Sequence, residues 1–396
     1  MALPKPDRRW LFSVDLWMTI AAMALALLMI VLATQLHAQT LTVLHNFTGG
    51  SDGDQPQTGM SRDEHGVFYG TTQYGGYQNC DNGGVQGCGV LFKFKNTGSG
   101  WLLTLLHDFR EGDFPVSPGV PAVAPNGTLY GVTFQGGAAG LIYNASPLAT
   151  VPPAGVSSWN YNPIYEFSGG NDGGSPARHS PVRFDAAGNF YGTAGGGFYS
   201  SGVIYEMTPS GNGWTETVLY AFTGGGDGGE PENTVFDGEG NMYGTAHDGG
   251  NQQCNNDGCG TIFKLTPSAS GWTETTLHTF QQGVDGGWPG PLIRDQAGNL
   301  YGLTYYYGPD TGGTVWELSP SNGGWAFTVL HSFPTYTVGD YGPYAPVIDP
   351  AGNLYGITNW GGANNTGFHF KLTPANGGWT YTDLYDFAVR GGQGGG

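Results

Sequence analysis

Basic side chains are scarce in this sequence of 396 residues: Lys and Arg together number 13, against 31 Asp and Glu, so the formal net charge is −18. Proteins that bind nucleic acid neutralise phosphates with lysine and arginine, and they carry a basic patch or stripe. That electrostatic footprint is missing from the composition. We therefore expect no nucleic-acid partner.

Short motifs that identify common active sites are also missing. The sequence contains no H-E-x-x-H zinc motif and no phosphate-binding P-loop. No catalytic residue can therefore be named from the sequence. A pair of carboxylates for glycoside cleavage stays open, because acidic residues recur throughout the chain and only their separation decides that chemistry.

Charged residues make up only 11% of the chain, whereas glycine occurs 72 times. A chain with few hydrophobic and aromatic residues would be disordered. Aromatic residues nevertheless reach 14% here, which is ample for a packed core. We interpret the glycines as the residues of many tight turns, where positive φ angles are required.

A short sequence, Gly-x-x-Tyr-Gly, recurs along the chain. Its tyrosines, 52 to 61 residues apart, are Tyr69, Tyr130, Tyr191, Tyr243, Tyr301 and Tyr355. An acidic turn such as Asp-Gly-Glu-Gly at residues 237–240 precedes the tyrosine, and strand-like segments such as residues 260–267 and 272–280 follow it. Four antiparallel strands per repeat predict an all-β propeller of six blades, with the tyrosines buried on second strands.

The whole repeat is more specific than any of its parts. G-N-L-Y-G is followed by G-G, by G-T-hydrophobic-F-K-L-T-P, by G-W and by T-hydrophobic-L-H-x-F. Over residues 41–387 this pattern resembles the GloVer tandem repeat family, which consists of secreted bacterial proteins with varied C-terminal anchors. The resemblance implies a surface or secreted repeat protein. It implies no catalytic residues, because the family is recognised by its repeats.

The N-terminal residues 1–38 have the pattern of a targeting helix. Three basic residues precede an uncharged, mostly apolar run of 18 residues at positions 16–33, and Leu-His-Ala at positions 36–38 is typical of a signal-peptidase site. We predict cleavage after Ala38 and a secreted or envelope-associated protein. The alternative is an uncleaved, single-pass membrane anchor, because the run approaches the length of a membrane span.

Residues 39–390 are predicted to form the propeller, and the glycine-rich residues 391–396 a flexible tail. Residues 41–47 match the fourth strand of a repeat, which gives seven fourth-strand copies against six tyrosine copies. We expect this extra strand to pair beside the last blade and close the ring, or to cover an edge. A degenerate seventh blade is the alternative. We expect the protein to be a monomer.

All four cysteines lie in the loop between second and third strands of two repeats. An exported chain with paired cysteines favours disulfides, here Cys80–Cys88 and Cys254–Cys259. A metal site would be the alternative. It would need ligands from the first and fourth blades, which stand opposite each other in a ring of six.

One acidic position recurs in the connection from a fourth strand to the next first strand. Its residues, each with a glycine after it and a proline four residues on, are Asp52, Asp172, Asp227 and Asp285. In a propeller these connections share a face with the loops between second and third strands. Carboxylates near free carbonyl oxygens suit Ca²⁺. The alternative is that each carboxylate caps its own turn. We predict no required cofactor and one candidate ion, calcium, at this rim.

Another repeat position takes either histidine or tyrosine. Its residues are His45, His107, His278 and His331, with Tyr165, Tyr220 and Tyr385 elsewhere. Both side chains are flat with a polar tip. We therefore interpret the position as a packing position rather than a catalytic one.

Aromatic residues also cluster in the variable loops. The candidate ligand-binding rings are Tyr74, Phe134, Tyr199, Trp288, Tyr306 and Trp360. Exposed rings on one face stack on sugars or contact a protein, although they also pack loops against one another. The sequence predicts an exported, noncatalytic propeller that binds a protein or glycan through its loops. The alternative is an extracytoplasmic carbohydrate-active enzyme, a hydrolase or lyase, with its site on the same face.

Overall fold

The computed structural model describes residues 42–387, except 57–58, 77–80, 83–84, 111–115, 150–158, 178–180, 212, 335–345 and 359. Every regular element in those residues is a β-strand. No helix in the described part of the chain is long and apolar enough to cross a membrane. The predicted targeting segment and the predicted tail lie outside the described residues.

The first three blades contain the strands up to residue 221. Blade 1 is built from β1 (Ser61–Arg62), β2 (Phe68–Thr71), a small hairpin of β3 (Asp81–Asn82) and β4 (Val85–Gln86), then β5 (Val90–Asn96) and β6 (Trp101–Asp108). Blade 2 is built from β7 (Val116–Pro118), β8 (Ala122–Val123), β9 (Leu129–Gln135), β10 (Leu141–Pro147) and β11 (Trp159–Glu166). Blade 3 is built from β12 (Gly174–Pro176), β13 (Arg183–Phe184), β14 (Phe190–Gly195), β15 (Val203–Ser210) and β16 (Gly213–Ala221).

The last three blades contain the strands from residue 229 onwards. Blade 4 is built from β17 (Gly229–Phe236), β18 (Met242–Asp248), β19 (Thr261–Ser268) and β20 (Gly271–Thr279). Blade 5 is built from β21 (Gly287–Pro289), β22 (Ile293–Arg294), β23 (Leu300–Tyr306), β24 (Thr311–Ser321) and β25 (Gly324–Pro334). Blade 6 is built from β26 (Val347–Ile348), β27 (Leu354–Ile357), β28 (Phe368–Ala375) and β29 (Gly378–Asp386).

Within each blade the strands lie side by side and antiparallel, from the first strand to the fourth, and the six sheets are arranged as a β-propeller. The predicted fold class is therefore confirmed. The first strand is split in blades 2, 3 and 5, where its first piece ends at Pro118, Pro176 and Pro289. Proline explains the break, because it has no N–H group to donate to the next strand.

The turn before the repeat tyrosine is a local network around one carboxylate in every blade except blade 2, where Asn126 stands in the turn. In blade 3, Asp185 accepts hydrogen bonds at Oδ1 from the backbone N–H of Ala187 (2.8 Å) and of Asn189 (2.9 Å). Its Oδ2 accepts from the Asn189 side chain (2.9 Å) and from the Tyr191 hydroxyl group (3.0 Å). Gly188 ends the turn at φ +88°, as predicted. The aspartate thus holds both the turn and the ring of the second strand.

The glycine after each tyrosine is required by a close approach. A methyl group at Gly192 would lie 2.3 Å from the Tyr205 hydroxyl oxygen, and one at Gly302 would lie 2.3 Å from the Trp316 ring. The third-strand ring therefore lies directly on the second-strand backbone. Burial of the repeat tyrosines is confirmed for Tyr69, Tyr191, Tyr243 and Tyr301, whereas Tyr130 and Tyr355 are half-buried.

A phenylalanine at the end of the fourth strand, or directly after it, joins each of blades 1 to 5 to the next blade. Phe109, Phe167, Phe222, Phe280 and Phe333 are each no more than 1% exposed. They contact the third-strand rings Tyr143, Tyr205, Phe263, Trp316 and Phe370 of the following blade, at ring-centroid distances of 5.0 to 5.8 Å. The core of the propeller is therefore a series of aromatic contacts between blades.

The extra fourth-strand copy near the N-terminus differs from its prediction. Residues 42–48 form no strand. Phe47 instead lies 5.2 Å from the Phe92 ring of blade 1, and His45 lies 6.0 Å from Phe94. Phe47 thus takes the place that a preceding blade's phenylalanine takes elsewhere. In the described residues the segment covers a side of blade 1.

Candidate functional site

The two kinds of loop lie on one face, as predicted. The Gly250 N–H, after the second strand of blade 4, donates to the Gly225 carbonyl oxygen in the connection that enters the blade (2.7 Å). In blade 5 the Gly283 N–H donates to the Tyr307 carbonyl oxygen (2.7 Å). We call the surface formed by these connections and by the loops between second and third strands the loop face.

Each predicted rim aspartate is bonded within its own connection. Asp227 accepts hydrogen bonds from the Tyr220 hydroxyl group (3.0 Å) and from the Thr223 backbone N–H (2.9 Å). Asp285 pairs with Nε2 of His278 (2.8 Å) and accepts from the Gln281 backbone N–H (2.6 Å). At Tyr220 and His278 the histidine-or-tyrosine position is therefore more than a packing position, because its polar tip binds the aspartate seven residues later.

The same arrangement holds in two further connections. Asp172 accepts from the Tyr165 hydroxyl group (2.9 Å) and from the Ser168 backbone N–H (2.8 Å). Asp52 pairs with His45 Nε2 (2.9 Å). Burial would raise the pKa of Asp172, but the hydrogen bonds from Ser168 and Tyr165 outweigh it and lower the pKa. Burial would likewise raise the pKa of Asp52, but hydrogen bonds from Thr48 and His45 outweigh it, so that pKa is also lowered.

This bonding bears on the predicted calcium rim. The described residues contain no group of three or more His, Cys, Asp or Glu side chains placed to hold a metal ion. Four separate turn caps, each satisfied by its own connection, fit the turn-capping alternative. Calcium binding at these aspartates stays open as the alternative, which titration with the ion decides.

One of the two predicted disulfides is confirmed. Cys254 and Cys259 are joined, with their Cα atoms 4.8 Å apart, and both side chains are fully buried. Cys88 is also buried and disulfide-bonded. Its predicted partner Cys80 lies outside the described residues, so the Cys80–Cys88 pairing stays a prediction.

A polar and aromatic cluster lies where the loop faces of blades 4 and 5 meet. His247 Nδ1 lies 2.6 Å from the Asp248 carboxylate at the end of β18. The His247 ring stacks on Trp288 of blade 5, with centroids 5.4 Å apart and planes 20° apart. Tyr305 contacts the same histidine ring edge-on at 5.4 Å. We call these residues, together with Glu230 and Tyr306, the His247 cluster.

The titratable side chains of the His247 cluster shift one another's pKa values. Burial would lower the pKa of His247, but Asp248, Glu232 and Glu230 outweigh it, so the pKa is raised. Partial burial and the Asp248 charge raise the pKa of Glu230, while a Gly196 amide and His247 oppose that shift. The cluster therefore presents carboxylate acceptors and an imidazole donor beside aromatic rings.

The structure brings some of the predicted rings together and leaves others apart. Trp288 and Tyr306 are both half-buried and contact each other edge-on at 5.7 Å. Tyr74 of blade 1 accepts a hydrogen bond from Gln73 (2.9 Å), and Phe134 of blade 2 is half-buried. Tyr199 of blade 3 and Trp360 of blade 6 are 53% and 51% exposed. Trp288 and Tyr306 thus belong to the His247 cluster with its titratable side chains.

Sequence reasoning missed His247 and Glu230. His247 does not recur in the other repeats, so it looked like an isolated histidine. The available signal was its neighbour Asp248 at the end of a second strand, directly before the Gly-Gly of the loop. Glu230 stands before the proline of the Asp-Gly-Gly-x-Pro connection, where the other repeats have Gln, Ser or Trp.

Similar folds occur among solved structures. A gluconolactonase from Xanthomonas campestris is 13% identical, with 67% of this chain and 75% of that chain covered and a TM-score of 0.39. PorZ, a surface component of the type-IX secretion system of Porphyromonas gingivalis, is 14% identical, with 85% and 42% covered and a TM-score of 0.46. A protein of unknown function from Dyadobacter fermentans is 11% identical, with 81% and 91% covered and a TM-score of 0.44. We draw no functional conclusion from these likenesses.

Comparison of sequences gives a clearer result. No functionally curated protein matches the chain. The profile of one repeat family matches residues 77–259 and 185–395, which together span most of the propeller and confirm the resemblance found in the sequence. The chain belongs to the Gloeobacter/Verrucomicrobia repeat family.

Proposed function

We propose that this protein is a noncatalytic propeller that binds a glycan at the His247 cluster on its loop face. The observation that carries the proposal is the joining of half-buried rings with two carboxylates, one of them paired with His247, across two adjacent blades. Trp288 and Tyr306 offer apolar ring surface, and Glu230 and Asp248 offer hydrogen-bond acceptors. Aromatic rings with one apolar and one polar side suit such a mixed surface.

A glycan fits this chemistry better than a flat protein surface does. The apolar face of a sugar ring packs on an aromatic side chain, while its hydroxyl groups donate to carboxylates. The negative charge of the cluster favours an amino sugar over an acidic one, because opposite charges attract and like charges repel. A protein partner on the same face is the alternative occupant.

Binding to three soluble polysaccharides tests the proposal: cationic chitosan, a neutral β-glucan and anionic polygalacturonate. We expect chitosan to bind most tightly by calorimetry. Trp288→Ala should weaken binding by about tenfold through loss of the stacking surface. Trp360→Ala is the matched control, since it removes an exposed ring outside the cluster. Binding of none of the three would leave a protein partner as the occupant of this face.

An enzyme on the same face is the second candidate function. The observation that favours it is the presence of two carboxylates, Glu230 and Asp248, in one cluster, where burial and the Asp248 charge raise the pKa of Glu230. Glycoside cleavage uses a pair of carboxyl groups, one of which has a raised pKa. Release of reducing ends from the bound polysaccharide, abolished by Glu230→Gln, would establish this candidate. Binding without any product would support the noncatalytic function.

We further propose that the protein acts outside the cytoplasm, in a form cleaved after Ala38. The segment at residues 16–33 and the site before Gln39 support export. A glycan of the cell envelope or its surroundings would then be within reach of the loop face.

A further inference from the structure

Ten of the described residues with side chains adopt a backbone conformation that normally requires glycine, and five of them share one place in the repeat. Each of the five stands directly before a proline, which lies in the first strand of blades 2 to 5 and ahead of the first strand in blade 1. They are Gln55, Ser117, Ser175, Glu230 and Trp288, with φ angles of +52°, +61°, +45°, +49° and +58°. We call these five residues the pre-proline ring. They occupy equivalent places in blades 1 to 5, and the corresponding segment of blade 6 lies outside the described residues.

The left-handed turn has a clear structural use. The backbone N–H of Ser175 donates to the Ala139 carbonyl oxygen (2.6 Å), and that of Glu230 donates to the Ser201 carbonyl oxygen (2.7 Å). In the same way, the Trp288 N–H donates to Cys259 (2.9 Å). Each acceptor belongs to a loop of the preceding blade. The turn therefore joins adjacent blades at the loop face.

Glycine would make the same hydrogen bond without strain. The bond uses only the backbone N–H, and glycine reaches positive φ freely, whereas a residue with a Cβ atom does not. This chain has 72 glycines and already places one directly before Ser175, Glu230 and Trp288. Strained positions of this kind are found at ligand clamps and active sites. The side chain, rather than the backbone, is what distinguishes these positions.

The side chains of the ring differ in chemistry while their backbone is held constant. Glu230 and Trp288 flank His247 from two adjacent blades, one through charge and one through ring stacking. The Ser175 side chain is exposed. Ser117 is buried, whereas the other four side chains are exposed or half-buried. A fixed backbone with a variable, accessible side chain at four places on one face is what a recognition surface requires.

We propose that the pre-proline ring determines which ligand the loop face accepts, with Glu230 and Trp288 as its main contact residues. This inference rests on the proposed function for the identity of the ligand. The competing explanation is that the side chains stabilise the fold. The Trp288 indole N–H does donate to the Gly258 carbonyl oxygen (3.0 Å), and Ser117 does accept from Gln73 (3.0 Å).

Thermal melting of glycine variants separates the two explanations without any ligand. We expect Ser175→Gly and Glu230→Gly to keep or raise the Tm, because glycine removes the strain and keeps the interblade hydrogen bond. Ser200→Gly is the matched control: Ser200 is also left-handed, at φ +59°, and exposed, but it stands outside the ring. A Tm for both ring variants well below that of the control would overturn the proposal.

Ligand preference supplies the second test. Glu230→Gln should weaken chitosan binding by about tenfold and leave neutral β-glucan binding unchanged, because only the charge is lost. Ser200→Gly should alter neither. If Glu230→Gln leaves the ratio of the chitosan affinity to the β-glucan affinity unchanged, the pre-proline ring does not determine ligand preference. If the wild-type protein binds neither polysaccharide, the proposed glycan function fails, and the melting comparison alone decides the role of the ring.

Discussion

The hydroxyl group of Tyr205 is buried and has no hydrogen-bond partner in the described part of the chain. The equivalent third-strand position holds phenylalanine in three other blades, at Phe92, Phe263 and Phe370. We therefore expect Tyr205→Phe to raise the free energy of unfolding by about 1 kcal/mol, since a buried, unsatisfied hydroxyl is destabilising. Urea denaturation measures the change.

Tyr191→Phe is the matched control, because it removes the same atom from a satisfied site. The Tyr191 hydroxyl group donates to Asp185 (3.0 Å) and lies 2.8 Å from Glu206. The free energy of unfolding of this variant should be about 1 kcal/mol lower than that of the wild-type protein. A loss of stability in Tyr205→Phe as large as that in Tyr191→Phe would show that the Tyr205 hydroxyl is satisfied in solution.

Glu216 is expected to make stability depend on pH near neutrality. Burial and the nearby Asp172 charge raise the pKa of Glu216 to about 7, and its Oε1 atom is buried without a partner among the described residues. A carboxyl with a raised pKa holds its proton in the folded state after the unfolded state has lost it. Its contribution is therefore fully present at low pH and falls as the pH rises towards about 7.

Glu216→Gln removes this dependence, because glutamine resembles the protonated form. We expect the Tm of the variant to exceed that of the wild-type protein at pH 8 and to match it at pH 4, in parallel melting experiments. Blades 1, 5 and 6 have the uncharged residues Leu103, Phe327 and Tyr381 at this position, so the fold does not require a carboxylate there. Equal differences in Tm at both pH values would refute the raised pKa.

At the scale of strands and turns, much of the structure could be read from the sequence. Asp-x-x-Gly before Asn-x-Tyr-Gly predicted a hairpin correctly, because turn chemistry is local and needs no knowledge of the rest of the fold. The hydrogen bonds that Tyr191 donates to Asp185 and that Tyr220 donates to Asp227 could not be read from the sequence. They depend on how a strand and a connection approach each other, which spacing alone does not give.

The His247 cluster was hidden for a related reason. Its histidine comes from one blade and its tryptophan from the next, 41 positions further along the chain. Repeats predict what their copies share, whereas this cluster consists of residues that differ between copies. The extra N-terminal copy was misjudged as a strand, because residues 42–48 keep the side-chain contacts of a fourth strand without its pairing.

The connection that contains Asp227 gives a direct test for calcium. Its carboxylate already accepts hydrogen bonds from Tyr220 and Thr223. We therefore expect equal Tm values with Ca²⁺ and with a chelator, for the wild-type protein. Asp227→Asn should lower the Tm slightly and equally in both conditions, since asparagine keeps the turn and weakens the charged hydrogen bonds.

An ion that bound the folded rim would behave differently. It would raise the Tm of the wild-type protein by mass action, and the rise would shrink in Asp227→Asn. That result would replace the turn-capping interpretation with the calcium rim predicted from the sequence.

At the scale of the whole molecule, the predicted export can be tested by determining the N-terminal residue of the exported protein. We expect the protein recovered outside the cytoplasm to begin at Gln39, because cleavage after Ala38 removes the apolar run at residues 16–33. Intact mass spectrometry and N-terminal sequencing report this directly. An extracytoplasmic form that still begins at Met1 and fractionates with membranes would establish the uncleaved anchor instead.

The seating of Phe47 on blade 1 has a mechanical consequence. The contact of Phe47 with Phe92 is held by side chains alone, with no ladder of backbone hydrogen bonds in residues 42–48. Tension applied at the N-terminal end of the propeller would therefore detach this short segment from blade 1 first. Only then would the tension act on the hydrogen bonds between strands. The segment would detach at a lower force than any strand, and the blades would stay folded.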